Sequence, residues 1–213
     1  RIDAPEDWAE FFDFEAMTFD GGSSFDPENG SLSYRWTSDI DGELGAQSII
    51  STTLTTGDHL VRLAVTDPLG AEDVATVNVS VRPNHPPTAT IVAPEEGAEF
   101  NEGESVNLEG EAEDVDGHAL TVSWRSDRDG SLGQSLSTTA SLSGGDHLIT
   151  LQVSDGHATT TDTANGTVNA KPVAEAGEDK EVLVGEQIDL DGTASVDPEG
   201  EELDHSWDFD ASD

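Results

Sequence analysis

The chain of 213 residues has no cysteine, one methionine, one tyrosine and only 8 lysine and arginine residues. Without cysteine, disulfides cannot stabilise the fold, and the redox compartment stays open. No apolar run reaches about 18 residues, so the sequence contains neither a membrane-spanning segment nor a signal peptide. We expect the chain to be a segment of a longer protein that carries its targeting signals elsewhere.

The scarcity of basic residues leaves a large negative charge. Aspartate and glutamate number 46, and the formal net charge is -38 at pH 7. This charge excludes nucleic acids and anionic membranes as main partners, and we expect no membrane insertion of this segment. Cations are the expected partners, because bound cations or high salt would screen the repulsion between carboxylates.

The tryptophan spacing reveals an internal repeat. Trp124 follows Trp36 by 88 residues, and Trp207 follows Trp124 by 83. Acidic, glycine and histidine positions around them keep these offsets, so the chain consists of copies of one unit. Proline- and asparagine-rich stretches between copies predict short, stiff connectors. The predicted domains are residues 1–83, residues 84–170 and the N-terminal half of a third copy, residues 171–213.

Short alternations of apolar and polar residues, bounded by glycine, proline, asparagine and aspartate, predict β-strands. In "HLVRLAV", His59, Val61 and Leu63 fall on one face, which predicts one buried face per strand and two packed sheets. The aromatic residues of "EDWAEFFDFEAM" would also fit a helix. We expect a strand there, because "AEF" recurs at Ala98–Phe100 in a strand-and-turn context at the matching place in copy two.

Several motifs together resemble the polycystic-kidney-disease (PKD) domain, an Ig-like β-sandwich of extracellular and cell-surface proteins. The resemblance implies an all-β fold of tandem Ig-like (PKD-like) β-sandwiches, two complete and one partial. His59 and His147 stand where the family usually has tyrosine, so an imidazole must make any equivalent hydrogen bond. The motifs are Asn84–Pro87, Asn169–Pro172, "SVDPEGEEL" at Ser195–Leu203, "WDFD" at Trp207–Asp210 and "GDHLVRLAVTD" at Gly57–Asp67.

In an Ig-like sandwich, the incoming chain and the B–C and F–G loops meet at one end, which we call the entrance pole. Acidic and amide side chains gather there without a lysine or arginine among them, which is costly unless a cation joins them. The predicted metal ligands are Asn84, Asp114, Asp116 and Asp155 in copy two, Asp26, Glu28 and Asp67 in copy one, and Asn169, Asp197 and Glu199 in copy three.

Calcium is the ion that fits these donors best, because it takes 6 to 8 oxygen ligands in tolerant geometry. The PKD resemblance implies the same ion, with the connector asparagine, the aspartate of "DPE" or "DVD" and the aspartate closing "VTD" or "VSD" as ligands. The alternative interpretation is that these side chains are solvated turn carboxylates.

A second acidic set follows the third strand of each copy, at the opposite pole. Asp-Gly steps favour tight turns, and the further donors of an EF-hand are missing. We interpret these residues mainly as turn formers, with a junction metal as the alternative role. The residues are Asp39, Asp41, Asp127 and Asp129.

The sequence shows no catalytic constellation: it lacks a nucleophile elbow, a phosphate loop and a recognisable pair of catalytic carboxylates. The six histidines have no zinc-ligand spacing and are interpreted as packing residues. Three Asn-x-Ser/Thr sequons predict N-glycosylation sites if the protein is exported in a glycosylating organism; they begin at Asn29, Asn78 and Asn165.

Two functions remain open. The first is a non-catalytic structural segment of a surface or secreted protein, such as a stalk, adhesin shaft or filament, with calcium at the copy junctions. Its partners would be neighbouring repeats, further copies of the chain or an extracellular polymer. The alternative is a set of accessory modules of a secreted hydrolase that bind polysaccharide or protein. The one unassigned aromatic cluster for that role is Trp8, Phe11, Phe12 and Phe14, since Trp36, Trp124 and Trp207 are predicted in the cores.

Overall fold

A computed structural model of the chain describes residues 1–208, and it folds them into strands, turns and loops. They divide into two compact units, Arg1–His85 and a second that begins at Pro86. The described residues form no helix, and so none that could cross a membrane. The predicted all-β class is confirmed.

The first unit holds the two sheets of a sandwich, one of five strands in the order β1-β7-β6-β3-β4 and one of two strands, β2-β5. The first strand pairs parallel with the last, and the other pairs are antiparallel. The strands are β1 (Ala9–Phe12), β2 (Met17–Asp20), β3 (Ser33–Ser38), β4 (Gly42–Gly45), β5 (Ile49–Thr52), β6 (Gly57–Thr66) and β7 (Glu72–Arg82).

The second unit repeats this plan, with a five-stranded sheet in the order β12-β11-β14-β15-β9 and a three-stranded sheet, β13-β10-β8. The helix-like segment of copy one is strand β1, and its counterpart in copy two is strand β9, as the shared "AEF" predicts. The strands are β8 (Thr88–Ala93), β9 (Ala98–Asn101), β10 (Ser105–Glu113), β11 (Thr121–Ser126), β12 (Gly130–Gly133), β13 (Ser137–Ser141), β14 (Gly145–Ser154) and β15 (Thr159–Asn169).

Each sandwich packs around one tryptophan. Trp36 and Trp124 are fully buried, and each indole N–H donates to a backbone carbonyl eleven residues later. A glycine on the facing strand makes room for the ring, because a Cβ at Gly110 would lie 3.1 Å from the Trp124 ring and 2.7 Å from Leu151. The inward residues that the alternation predicts, including Val61 and Leu63, form these cores.

The third copy differs. Residues 171–208 form no strand and a single bridge, between Val173 and Val196. Trp207 is 41% exposed, so the prediction that it is buried in a core is wrong. Trp36 and Trp124 lie on strands that pair with β6 and β14, which come later in the sequence, whereas only six residues follow Trp207. The last two residues of the "WDFD" motif lie outside the described residues.

A buried histidine in each sandwich joins the end of the neighbouring strand to the loop before its own strand. The Nδ1 atom of His59 lies 2.8 Å from Ser38 Oγ, and Nε2 lies 2.6 Å from the Thr55 carbonyl. Because a carbonyl only accepts, Nε2 carries the proton and Nδ1 accepts from the serine hydroxyl. His147, Ser126 and Ser143 repeat this network at 2.8 and 2.7 Å.

A carboxylate in the turn before β1 or β9 also binds the last strand of its sandwich, with which β1 or β9 pairs in parallel; we call this contact the carboxylate clip. Asp7 Oδ1 accepts the backbone N–H and the side-chain amide of Asn78, at 2.8 and 3.0 Å. In copy two, Glu96 does the same for Asn165, at 2.9 and 2.7 Å. The hydrogen bond from the Asn78 backbone, followed by the one from its side chain, lowers the pKa of Asp7. For Glu96, the bond from the Asn165 side chain has the larger effect in lowering the pKa, and the bond from its backbone adds to it.

Removing the serine hydroxyl should leave a buried imidazole nitrogen without a donor. We expect Ser126→Ala to lower the free energy of unfolding by about 1–3 kcal/mol, measured by urea denaturation. The control is Ser131→Ala, on the exposed side of β12, which should change stability little. Equal effects of the two substitutions would contradict the role of the network.

The carboxylate clip should make stability depend on pH. A carboxylate with a lowered pKa in the fold stabilises it fully above the unfolded-state pKa and loses this effect as the pH falls through the folded-state pKa. Glu96→Gln imitates the protonated acid, so it should melt below wild type at about pH 7, and the difference should vanish well below pH 4.5, the ordinary pKa of glutamate. Glu99→Gln, an exposed change on the adjoining strand, should show no such pH-dependent difference.

Candidate metal centre

The loop between β10 and β11 holds a buried carboxylate in copy two. The Asp114 side chain is 2% exposed, and its Oδ1 accepts the backbone N–H of His118 at 3.0 Å. The Asp114 carbonyl accepts from Gly117, whose φ of +80° suits glycine at this turn. The other oxygen, Asp114 Oδ2, is buried and has no hydrogen-bond partner among the described residues.

Two further donors stand beside Asp114. One ligand atom each from Asp114, Asp116 and His118 lies within 4.8 Å of the others, a spacing that one metal ion could bridge. His118 Nδ1 is 3.5 Å from Asp114 Oδ1. His118 is not among the ligands predicted from the sequence, because the histidines lack zinc spacing. The signal that could have indicated it is the Asp-x-Asp-x-His order of residues 114–118.

The loop between β14 and β15 adjoins this cluster. The rings of His118 and His157 meet edge to face, with their centroids 6.0 Å apart. Asp155 in the same loop is 7% exposed, and its Oδ1 accepts the backbone N–H groups of His157 and Ala158 at 2.6 Å each. The two loops that the topology assigns to the entrance pole therefore meet in copy two.

Copy one brings the equivalent loops together without a histidine. Asp26 Oδ1 accepts the N–H of Glu28 at 2.7 Å, and Asp67 Oδ1 accepts from the backbone of its own loop at 2.9 and 2.8 Å. A Cβ on Gly30 would overlap the Asp26 carboxylate and lie 3.3 Å from Pro68, so the loops adjoin at this glycine. Glu28 is exposed.

The predicted carboxylates of copy three accept backbone N–H groups, and the connector asparagines form hydrogen bonds through their own backbone. Asp197 Oδ1 accepts from Glu199 and Glu201 at 2.9 and 3.2 Å, and Glu199 Oε2 accepts the N–H of Ala170 at 3.1 Å. Asn169 ends β15, and its carbonyl accepts from Glu102. In the first unit, the N–H of Asn84 donates to Asp13 at 3.4 Å.

At the other pole, the aspartates of the Asp-Gly turns bind backbone and hydroxyl groups. Asp39 Oδ1 accepts the N–H of Leu60 at 2.8 Å, and Asp41 accepts from the N–H and hydroxyl of Thr55 at 2.9 and 2.6 Å. Burial raises the pKa of Asp41, but the bonds from Thr55 outweigh it and lower the pKa overall. Asp127 and Asp129 repeat these contacts with Leu148 and Ser143. These carboxylates thus fasten the turn after β3 or β11 to β6 or β14 and to the loop that precedes it.

The sequons lie in different settings. Asn29 is exposed in a turn, with a φ of 61°. Asn78 and Asn165 lie within β7 and β15, and the side-chain nitrogen that would carry a glycan donates to Asp7 or Glu96.

Each copy also places a serine, a histidine and an aspartate side by side. In a hydrolytic triad, the serine and the carboxylate contact opposite ring nitrogens of the histidine. Here Ser38 and Asp41 both lie near Nδ1 of His59, at 2.8 and 3.9 Å, and Nε2 binds a backbone carbonyl. Because Ser38 is also buried, this group holds a loop and cannot reach a substrate.

The unassigned aromatic residues of copy one do not form one exposed surface. Trp8 is 57% exposed, whereas Phe11 packs against the core. The rings of Phe12 and Phe14 stack at 5.5 Å, and the Arg82 guanidinium lies 5.4 Å above the Phe12 ring.

The described strands of copies one and two form tandem Ig-like β-sandwiches, a fold of structural and binding modules. Residues 169–211 match the family model described as PKD domain, which confirms the resemblance seen in the sequence motifs of the third copy. Domains of this class are typical of extracellular and cell-surface proteins and are typically non-catalytic.

Solved structures with similarity to the chain are tandem modules. The fibronectin(III)-like modules of CbhA from Clostridium thermocellum share 15% identity over 80% of this chain and 94% of that chain, with a TM-score of 0.42. Titin domains Z1Z2, solved in complex with telethonin, share 14% over 80% and 96%, with a TM-score of 0.34. Extracellular domains 3–5 of Drosophila OTK share 11% over 85% and 69%, with a TM-score of 0.30. No curated protein sequence matches the chain.

Proposed function

We propose that this chain is a non-catalytic structural segment of a longer surface or secreted protein, a stalk, adhesin shaft or filament, whose copies are braced by bound calcium. The observation that carries the proposal is the Asp114 carboxylate, which is 2% exposed and has one oxygen that no donor of residues 1–208 reaches. A buried charged oxygen without a partner is costly, and a cation is the partner that removes the cost.

Calcium suits the donors of the entrance poles. It is a hard cation that accepts carboxylate, amide and carbonyl oxygens and water in flexible geometry. The poles of copies one and two supply such oxygens on adjoining loops. A chain with 46 acidic and 8 Lys and Arg residues has few basic side chains to compete. Extracellular modules bind calcium with a dissociation constant of about 10⁻⁴–10⁻³ M, which suits an extracellular location.

The connector contacts support a stiff chain. Glu102 of copy two accepts the N–H of Lys171 at 3.0 Å, and Glu199 of copy three accepts the N–H of Ala170 at 3.1 Å. Two adjacent connector residues are thereby held by carboxylates from the copies before and after them. Asp13 stands at the corresponding place in copy one and accepts from Asn84. A connector held from both sides limits the angle between copies two and three, which is what a shaft needs.

The proposal includes three further properties that are expected of a surface shaft. These are self-association into a filament, binding of an extracellular polymer and glycosylation of the three sequons. The second candidate function is a polysaccharide- or protein-binding accessory module of a secreted hydrolase. The exposed Trp8 side chain is the observation that favours it, because an exposed indole can stack on a sugar ring.

The calcium proposal predicts a cation-dependent melting temperature. In about 10 mM calcium, a site with the affinity given above adds roughly 1.4–2.7 kcal/mol of stability, so the transition should rise relative to EGTA. Asp114→Asn should remove most of the rise in copy two. The measurement is calorimetry of the full chain in calcium and in EGTA.

The matched control is Asp73→Asn, an exposed change of the same charge on β7 that should retain the calcium response. Magnesium at equal concentration controls for screening of the net charge. Equal melting in EGTA and calcium, or an equal rise in magnesium, would contradict specific calcium binding.

A further inference from the structure

The entrance pole of copy two differs chemically from the other two. The repeat offsets align His118 with Gly30 of copy one and with Glu201 of copy three, whereas Asp114 aligns with Asp26 and Asp197. Copies one and three therefore offer oxygen donors alone at these loop positions, and copy two adds an imidazole.

The imidazole is held at the acidic cluster. The His118 side chain is 19% exposed, and its Nδ1 lies 3.5 Å from Asp114 Oδ1. Two donors that bind one tetrahedral zinc ion at about 2.0–2.1 Å stand roughly 3.3 Å apart, so an imidazole this close to the Asp114 carboxylate lies within reach of an ion that the carboxylate holds. Asp116 supplies the third donor within 4.8 Å.

A second observation points to a ligand here. Asp114 Oδ2 is buried beside these donors and has no hydrogen-bond partner among the described residues. The carboxylate already accepts one N–H through Oδ1, so the free oxygen is available to a cation without loss of the turn.

We propose that copy two binds a divalent transition-metal ion of borderline softness, zinc in the first instance, through Asp114, Asp116 and His118. The proposal rests on the proposed function in one respect, namely that the entrance pole of copy two holds a cation. Imidazole nitrogen is a good ligand for zinc, whereas calcium prefers oxygen. The three side chains leave at least one coordination position for water or another side chain. Copies one and three keep the oxygen donors that suit calcium.

The test is isothermal titration of the full chain with zinc chloride in excess calcium, so that oxygen-only sites are filled. We expect one zinc equivalent to bind, and His118→Gly, which installs the residue of copy one, to weaken this binding at least about tenfold. His118→Gln keeps the side-chain size if the glycine variant folds poorly. The control is His205→Gln, which removes an imidazole from copy three and should leave the zinc affinity unchanged.

Visible absorption spectroscopy of the cobalt-loaded chain tests independently whether His118 is a ligand. Cobalt bound at a low-coordinate imidazole and carboxylate site gives visible d–d absorption, which His118→Gly should abolish. Zinc binding of equal strength in wild type and both His118 variants would overturn the inference, as would weak binding to many carboxylates without one distinct equivalent.

The two proposals can fail separately. If calcium raises the melting temperature while the zinc affinity does not depend on His118, the inference is wrong and the calcium proposal stands. If zinc binds through His118 while calcium has no effect on melting, the calcium proposal is wrong and the inference stands.

Discussion

The shortage of basic side chains is the constraint on which the rest of the structure depends. With 46 acidic and 8 Lys and Arg residues, most carboxylates have no cationic side chain to pair with. They take hydrogen bonds from backbone N–H groups instead, at turns, at strand ends and at connectors. A carboxylate bound in this way is stabilised in its charged form, because the bonds are charge-assisted. The acidic residues thereby become the fasteners of the loops.

This arrangement has a mechanical consequence. Asp7 and Glu96 join β1 and β9 to the last strands of their sandwiches, and Asp41 and Asp129 fasten the turns after β3 and β11. Glu102 holds the connector. Each contact joins segments distant in sequence, so the loops are shaped by the strands they bind. Loops fixed in this way can hold donors near one point, and metal binding then requires little ordering of the chain.

The local sequence pattern predicts much of the fold, but it does not predict most of the contacts at the candidate site. The inward faces of the strands are predictable because side chains alternate with a period of two, and Val61 and Leu63 are buried accordingly. The contact between Asp7 and Asn78 spans 71 positions, which no local pattern encodes. The repeat register also placed Trp207 in a core, but register does not supply the strands that cover the ring.

The candidate site shows the same division. Topology predicts that the loops bearing Asp114 and Asp155 meet, because it fixes the end of the sandwich to which each loop returns. It does not predict which oxygens the backbone will satisfy, and that is a matter of single hydrogen bonds. Asp155 Oδ1 receives two N–H groups, whereas Asp114 Oδ2 receives none among the described residues. The difference between a turn carboxylate and a candidate ligand therefore appears only in three dimensions.

The repeated copies share the same core contacts, whereas the side chains at their entrance poles differ. The buried tryptophan, the histidine network and the clip recur in copies one and two, and none of them involves the residue aligned with His118. The histidine that stands in copy two where copy one has Gly30 therefore leaves these shared core contacts in place and changes the loop at the tip of the sandwich. In copy one a side chain at this place would collide with the Asp26 carboxylate, so the histidine requires a different loop path in copy two. The path there follows "DVDGH" where copy one has "DPENG", and it brings the imidazole to the acidic cluster. On the two proposals above, copies with one shared fold bind different cations at successive positions along the chain.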